Sequence, residues 1–317
     1  MTKLAYMFAA SLIAGCATTG SDGSDGLAGD EQDSTTTYVQ IQEFGTNPAE
    51  DAWYSINSKL QGEFNTVCGD TFCEGDFSNI TALRLYCSVT SKHATIHDCA
   101  WAFTASTHEI DTKTAAVVPN AVTYQCHFKP KTTGPKLIAL LQASNDAIHA
   151  TLPGMGSIYD TLGACFDHPI GTPPAAVSPV TTTYVDAADY YASAAGQAKW
   201  AGSLANLHAG FDNVCGDTFC GSDYADVQAL DLGCSVTRSS GTVKTCIWNF
   251  GGSYTTIAPN GNLAVVSKTW SCPVAVTGTI GQLTSVLTNT TDTADAIHRA
   301  LPGGTSAYDS IAGCVTR

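Results

Sequence analysis

The chain has 317 residues, only 13% of them charged, and a formal net charge of -14 with an isoelectric point near 4.7. This balance argues against a nucleic-acid-binding surface, because such a surface neutralises phosphates with clustered Lys and Arg. A chain of this length is longer than a domain with a single hydrophobic core usually is. We therefore expect two folded domains and no nucleic-acid partner.

The first residues have the pattern of an export signal, which we assign to residues 1–15. Lys3 precedes an apolar run, Leu4 to Ala14, that is too short to span a bilayer. The segment Leu12-Ile13-Ala14-Gly15-Cys16 resembles the lipobox of bacterial lipoproteins. The resemblance implies cleavage before Cys16, lipid on that cysteine and, since Asp does not follow it, transport to the outer membrane. An ordinary signal peptide with a chance cysteine is the alternative.

Most of the remaining chain consists of two similar repeats. Residues 16–34 are rich in Gly, Ser, Thr and Asp, which predicts a flexible tether. Two repeats follow, 35–166 and 181–317, separated by a Pro-rich linker over 167–180. Each repeat has six cysteines at matching positions, offset by 146 to 149 residues: Cys68, Cys73, Cys87, Cys99, Cys126 and Cys165, then Cys215, Cys220, Cys234, Cys246, Cys272 and Cys314.

These cysteines indicate disulfides formed in an oxidising compartment, three in each repeat and none between repeats. Fifteen connectivities are possible within a repeat. A turn around Lys92-His93 sets Cys87 opposite Cys99, so we favour that pair together with Cys68 to Cys73 and Cys126 to Cys165, and the same order in the second repeat. We also expect each repeat to fold alone.

The hydrophobic pattern predicts an α+β fold in each repeat. A helix opens it, with Trp53, Ile56, Leu60 and Phe64 on one face, and Trp200, Leu204, Leu207 and Phe211 repeat that spacing. Three alternating strands follow, whose inward residues are Leu83, Leu85, Cys87 and Val89, then Cys99, Trp101 and Phe103, then Tyr124, Cys126 and Phe128.

Helices end each repeat and complete two layers, helices against one face of a three- to four-stranded antiparallel meander. In topology this order, a helix followed by a meander, is similar to cystatin-type folds. No inhibitor motif accompanies the similarity.

Two sets of polar residues occur in both repeats and are the candidate sites. Asp70 and Asp76, matched by Asp217 and Asp223, lie in a glycine-bearing loop and offer hard oxygen ligands for calcium. The alternative is that they cap turns or helix starts. His149 with Asp160, matched by His298 with Asp309, suggests an oriented general base. The alternative is a histidine bonded to a carbonyl or to a neighbouring tyrosine.

Neither set includes a matched nucleophile, so the sequence favours a non-enzymatic binding or structural module without a cofactor. Its expected partners are the membrane, through the lipid anchor, and a protein or glycan ligand. A cell-envelope hydrolase built around the His/Asp pair is the alternative, and a cystatin-like protease inhibitor is a third possibility.

Overall fold

Each repeat forms one four-stranded antiparallel sheet. The computed structural model describes residues 36–45, 47–171, 183–216, 218–220, 224–288 and 293–315. In the first repeat the strands, hydrogen-bonded in this order, are β1 (Tyr38–Gln40), β2 (Thr81–Thr90), β3 (Ile96–Ile110) and β4 (Val117–Phe128). The second repeat has β5 (Tyr184–Asp186), β6 (Gln228–Thr237), β7 (Val243–Ile257) and β8 (Leu263–Pro273). The protein is α+β, as predicted.

Helices flank the strands along the chain. The first repeat contains α1 (Asn47–Cys68), α2 (Gly134–Ala143) and α3 (Ile158–Phe166). The second contains α4 (Ala187–Tyr190), α5 (Ala194–Cys215), α6 (Ile280–Thr288) and α7 (Ala307–Val315), and short 3-10 helices cover Ile41–Glu43 and Thr293–His298. Over the residues described above, no helix has the length and apolar character needed to cross a membrane.

The apolar face of α1 supplies much of the first core. Trp53, Ile56, Leu60 and Phe64 are at most 1% exposed and belong to one buried cluster with residues of the sheet, α2 and α3. Burial of each such side chain stabilises the fold by about 1.5–3 kcal/mol. The matched residues Trp200, Leu207 and Phe211 are buried in the second core, and Leu204 packs against it partly buried.

Six disulfides connect these elements. They join Cys68 to Cys73, Cys87 to Cys99, Cys126 to Cys165, Cys215 to Cys220, Cys234 to Cys246 and Cys272 to Cys314. These pairs match the favoured connectivity, and each lies within one repeat. Cys87 and Cys99 face each other directly across β2 and β3, which is the register that the turn between those strands requires.

One predicted inward residue lies on the other face of its sheet. The pairing of β2 with β3 shifts register between Ala82 and Leu85, and this irregularity breaks the strict alternation of the strand. Leu85 therefore packs in the helix-covered core, while Leu83 packs in a separate cluster with Tyr86, Ala100, Ala102 and Leu263. The assignment of Leu83 to the same face as Leu85 was wrong.

That separate cluster marks a second buried face, where the sheets of the two repeats pack together. Hydrogen bonds accompany the apolar contacts: the Ser88 hydroxyl donates to the Gly261 carbonyl (2.6 Å), the Gln125 amide to the Val265 carbonyl (3.0 Å), and the Leu263 amide to Asp98 (3.0 Å). The two repeats belong to one compact unit. The structure thus adds a buried interface that the expectation of separable repeats did not include, and independent folding of one repeat stays a prediction.

Removing disulfides should reveal their unequal contributions. The Cys126 to Cys165 bridge spans 39 residues of sequence and the Cys68 to Cys73 bridge spans 5. Because longer loops lose more entropy on closure, we expect the double variant Cys126→Ala, Cys165→Ala to lose about 4 kcal/mol, and Cys68→Ala, Cys73→Ala about 2 kcal/mol. Urea unfolding of both variants measures the difference. Equal losses, or the reverse order, would contradict this account.

Candidate functional site

The two predicted calcium-ligand aspartates of the first repeat lie in the loop that follows α1. Asp70 lies in the turn closed by the Cys68 to Cys73 bridge, where its backbone amide donates to the Val67 carbonyl (3.3 Å). Asp76 lines a cavity farther along the loop. The matched Asp217 and Asp223 lie outside the described residues. Where the chain is described, no group of three or more His, Cys, Asp or Glu residues is placed to hold a metal ion.

His149 and Asp160 have different hydrogen-bond partners. Asp160 accepts from the Ser157 amide (2.7 Å) and hydroxyl (2.8 Å), and the Ser157 hydroxyl accepts from the Asp160 amide in return, so the pair caps α3. These bonds from Ser157 hold the pKa of Asp160 below its ordinary value. His149 instead bonds Asp146 through Nδ1 (2.9 Å), and its ring lies 4.5 Å from that of Tyr159.

The second repeat has the same arrangement. Asp309 accepts from the Ser306 hydroxyl (2.6 Å), while the ring of His298 lies 4.6 Å from that of Tyr308. In both repeats the carboxylate caps a helix and the imidazole packs on a tyrosine. The match between the repeats is accounted for by these structural contacts.

Asp76 and the aromatic side chains behind it form a cleft of about 650 Å³, which we call the aromatic cavity. Phe72 and Phe77 come from the loop after α1, Tyr124 from β4 and Phe166 from the end of α3. The Tyr124 and Phe166 rings are 5.1 Å apart and nearly perpendicular, at 86°. Such an edge-to-face arrangement is favourable for the ring quadrupoles.

Backbone pairing fixes the far wall of the aromatic cavity. Ile170 exchanges two hydrogen bonds with Thr123 of β4, at 2.7 and 3.1 Å. This pairing holds the start of the predicted linker against the sheet, and Asp167 and Pro169 line the cavity beside it. Asp76 and Asp167 are both exposed, so the cavity has an aromatic interior and an acidic rim. Burial, together with the charge of Asp76, raises the pKa of the Tyr124 hydroxyl to about 12.

A second cleft, also about 650 Å³, lies between the repeats and contains His208 and Asp212 of α5. Burial lowers the pKa of His208, whose ring bonds the Leu230 carbonyl, so the imidazole is neutral at pH 7. Burial raises the pKa of Asp212. In the first repeat, Gln61 occupies the position of His208 and donates to the matching Leu83 carbonyl, which gives both side chains the same structural role.

The interface also contains a partly buried charge cluster: His108 of β3, Asp186 at the end of β5 and Asp231 of β6. The imidazole bonds Asp231 through Nδ1 and Asp186 through Nε2. Its side chain is 14% exposed. Burial lowers the pKa of His108, but the two carboxylates outweigh it and raise the pKa to about 10. The histidine is therefore a cation that joins the first repeat to the second.

Glycines of the second repeat allow this close approach. A Cβ on Gly233 would lie 2.4 Å from the His108 ring, and one on Gly251 would lie 2.2 Å from the Thr104 hydroxyl. His108 has no counterpart in the second repeat, where the matching position holds Thr255, so a comparison of the two repeats does not single it out. Glycine within a strand was the available signal, since it often marks a close approach of another group.

No family model matches the chain, and comparisons with curated proteins and with solved structures found no match. The function must therefore be argued from the geometry of this molecule.

The charge cluster predicts that stability falls with rising pH. Unfolded His108 loses its proton near pH 6.5, whereas folded His108 keeps it up to about pH 10. Its contribution is thus complete below pH 6.5 and is lost between pH 6.5 and about 10. We expect His108→Gln to lower the free energy of unfolding by a few kcal/mol at pH 6 and by much less at pH 9.5, measured by urea unfolding.

The exposed His93 provides a control. His93→Gln should leave the free energy of unfolding nearly unchanged at both pH values. A loss from His108→Gln that stays constant or grows with pH would show that His108 is not held as a cation.

Proposed function

We propose that the protein is an exported, lipid-anchored protein of the bacterial cell envelope that binds a ligand without transforming it. The lipobox-like segment ending at Cys16 supports the anchor at the outer membrane or cell surface. The formed disulfides fit an oxidising compartment. The proposed partners are the membrane and a protein or glycan ligand, with no cofactor.

The aromatic cavity is the observation that carries the proposal of binding. A cleft of about 650 Å³ is within the range of small-ligand sites, and such sites typically combine apolar walls with a few polar groups. Here the walls are aromatic and the polar groups, Asp76 and Asp167, stand at the rim. Stacking on rings would supply affinity, and the carboxylates would orient the ligand.

The hydrolase alternative depended on His149 and Asp160 acting together. Asp160 is engaged by Ser157 and caps α3, so it does not orient the imidazole through a hydrogen bond. Asp146, and not Asp160, contacts the imidazole, so the predicted pairing of His149 with Asp160 is not formed, and the aromatic cavity makes binding the better-supported role.

We also propose that the repeats are duplicated domains, each with an N-terminal helix, a meander and C-terminal helices in two layers. The shared order of long helix, three long strands and terminal helices supports this. The buried interface supports a pair that presents its ligand surfaces as one compact unit, and not as two independent modules.

The anchor predicts a lipid-modified N-terminus. We expect the native protein to partition into detergent, and mass spectrometry of its N-terminal peptide to find acyl chains on Cys16. In Cys16→Ser the acyl chains should be absent from the N-terminal peptide and partition into detergent should weaken, because the acyl chains supply the proposed anchor. An unmodified N-terminus elsewhere in the native protein would overturn the anchor.

Binding in the aromatic cavity can be tested without knowing the ligand. We propose to titrate the full chain with methyl glycosides and N-acetyl amino-acid amides and to follow amide signals by NMR. At least one probe should shift signals of Thr71 and Gly163, which line the cavity. A Cβ on Gly163 meets no atom within 4 Å, so Gly163→Trp can partly fill the cavity, and these shifts should then disappear.

Gly313 supplies the matched control. It is an exposed glycine of α7 in the second repeat, and a Cβ there also meets no atom within 4 Å. Gly313→Trp should leave the shifts intact. If no probe perturbs the cavity, or if Gly163→Trp leaves the shifts intact, the proposed binding function fails.

A further inference from the structure

In the second repeat, a lysine side chain lies against aromatic rings at positions that match two lining residues of the aromatic cavity. Matching cysteines align Phe77 with Tyr224, Tyr124 with Trp270 and Val122 with Lys268. The Lys268 ammonium lies 4.9 Å from the Trp270 ring centroid and 5.9 Å from that of Tyr224. Those two rings are 5.1 Å apart at 83°, so they form a corner around the cation. An ammonium at these distances is attracted by the ring faces.

The first repeat keeps aromatic residues at both ring positions, Tyr124 and Phe77, and both line the aromatic cavity, but it lacks the lysine. Tyr124 also meets Phe166, at 5.1 Å and 86°, whereas the position that matches Phe166 in the second repeat holds Val315. Val122 replaces the lysine and turns into the core, where it is 1% exposed. The aromatic cavity opens beside these rings.

Charge in the aromatic cavity also favours a cation. Its lining includes the carboxylates Asp76 and Asp167 but, among the described lining residues, neither Lys nor Arg. Asp76 lies near enough to Tyr124 for its charge to act on the phenol. An ammonium entering from solvent would pass an acidic rim before it reached the ring faces, and both features attract positive charge.

We propose that the aromatic cavity of the first repeat binds an organic primary ammonium group, of the kind that a lysine side chain carries. The second repeat already places its own lysine against the equivalent rings. The inference rests on the proposed binding function and names the chemical class of the ligand. The cleft volume of about 650 Å³ also leaves room for the groups to which the ammonium is attached.

The charge can be isolated with a matched pair of probes. Nα-acetyl-lysine methylamide and Nα-acetyl-norleucine methylamide share a backbone and an apolar stem, and only the first carries the ammonium. In NMR titrations of the full chain we expect the lysine probe to bind about tenfold more tightly, as a cation–π contact of this kind allows. Added salt should weaken binding of the lysine probe and leave binding of the norleucine probe unchanged.

Variants test the location and the carboxylate. Asp76→Asn should weaken binding of the lysine probe several-fold and leave the affinity for the norleucine probe unchanged. Asp51→Asn, on the exposed surface of α1, should change neither affinity. Gly163→Trp should abolish binding, and Gly313→Trp should not. These substitutions lie at exposed positions, and circular dichroism would confirm that each variant folds.

Two results would overturn the inference. Equal affinity for the two probes would show that the charge contributes nothing. Binding of a methyl glycoside in the aromatic cavity, without binding of the lysine probe, would keep the proposed binding function and exclude the ammonium. If no probe binds in the aromatic cavity, both the proposed binding function and the ammonium inference fail.

Discussion

The face of each sheet that no helix covers determines much of this structure. A sheet with one face packed on helices still has to bury or solvate the other, and here the two repeats bury that face against each other. Polar groups in the contact have to be compensated. Asp226 accepts from the Ser253 amide (2.6 Å) and hydroxyl, and Tyr86 of the other repeat contacts both side chains. Burial raises the pKa of Asp226, and these donors offset part of that cost.

The matched and the unmatched positions of the two repeats have different roles in the structure. Scaffold positions stay matched: the disulfides, the apolar face of the long helix and the capping carboxylates Asp160 and Asp309 recur. Several contact positions differ instead: His108 is matched by Thr255, Tyr86 by Gly233 and Arg84 by Asp231, so the two surfaces are complementary and not identical. The same freedom extends to the aromatic walls, where one repeat carries its own lysine and the other a cavity.

Periodicity and cysteine spacing were sufficient for the α+β class, the long helices and the disulfide pairs, because these depend on local pattern and register. The prediction that Leu83 faces the helix-covered core was wrong, because strict alternation does not account for the irregularity in the pairing of β2 with β3. The aromatic cavity was predicted only in part: Asp76 was a candidate through its match in both repeats, but Tyr124 was predicted only as an inward strand residue and Phe166 only as the end of the first repeat. The charge cluster was not predicted from the sequence, because Asp186 and Asp231 contact His108 only through the packing of residues far apart in the chain.

The glycine at position 233 has a consequence for how copies of this chain recognise one another. The matching residue of the first repeat is Tyr86, and Asp231 is matched by Arg84. Two first repeats placed in the observed arrangement would press His108 against a tyrosine ring and an arginine. Two second repeats would have no histidine to offer their carboxylates. Steric exclusion and like charge thus disfavour pairing of identical repeats, so the contact selects the unlike repeat, most readily the one on the same chain.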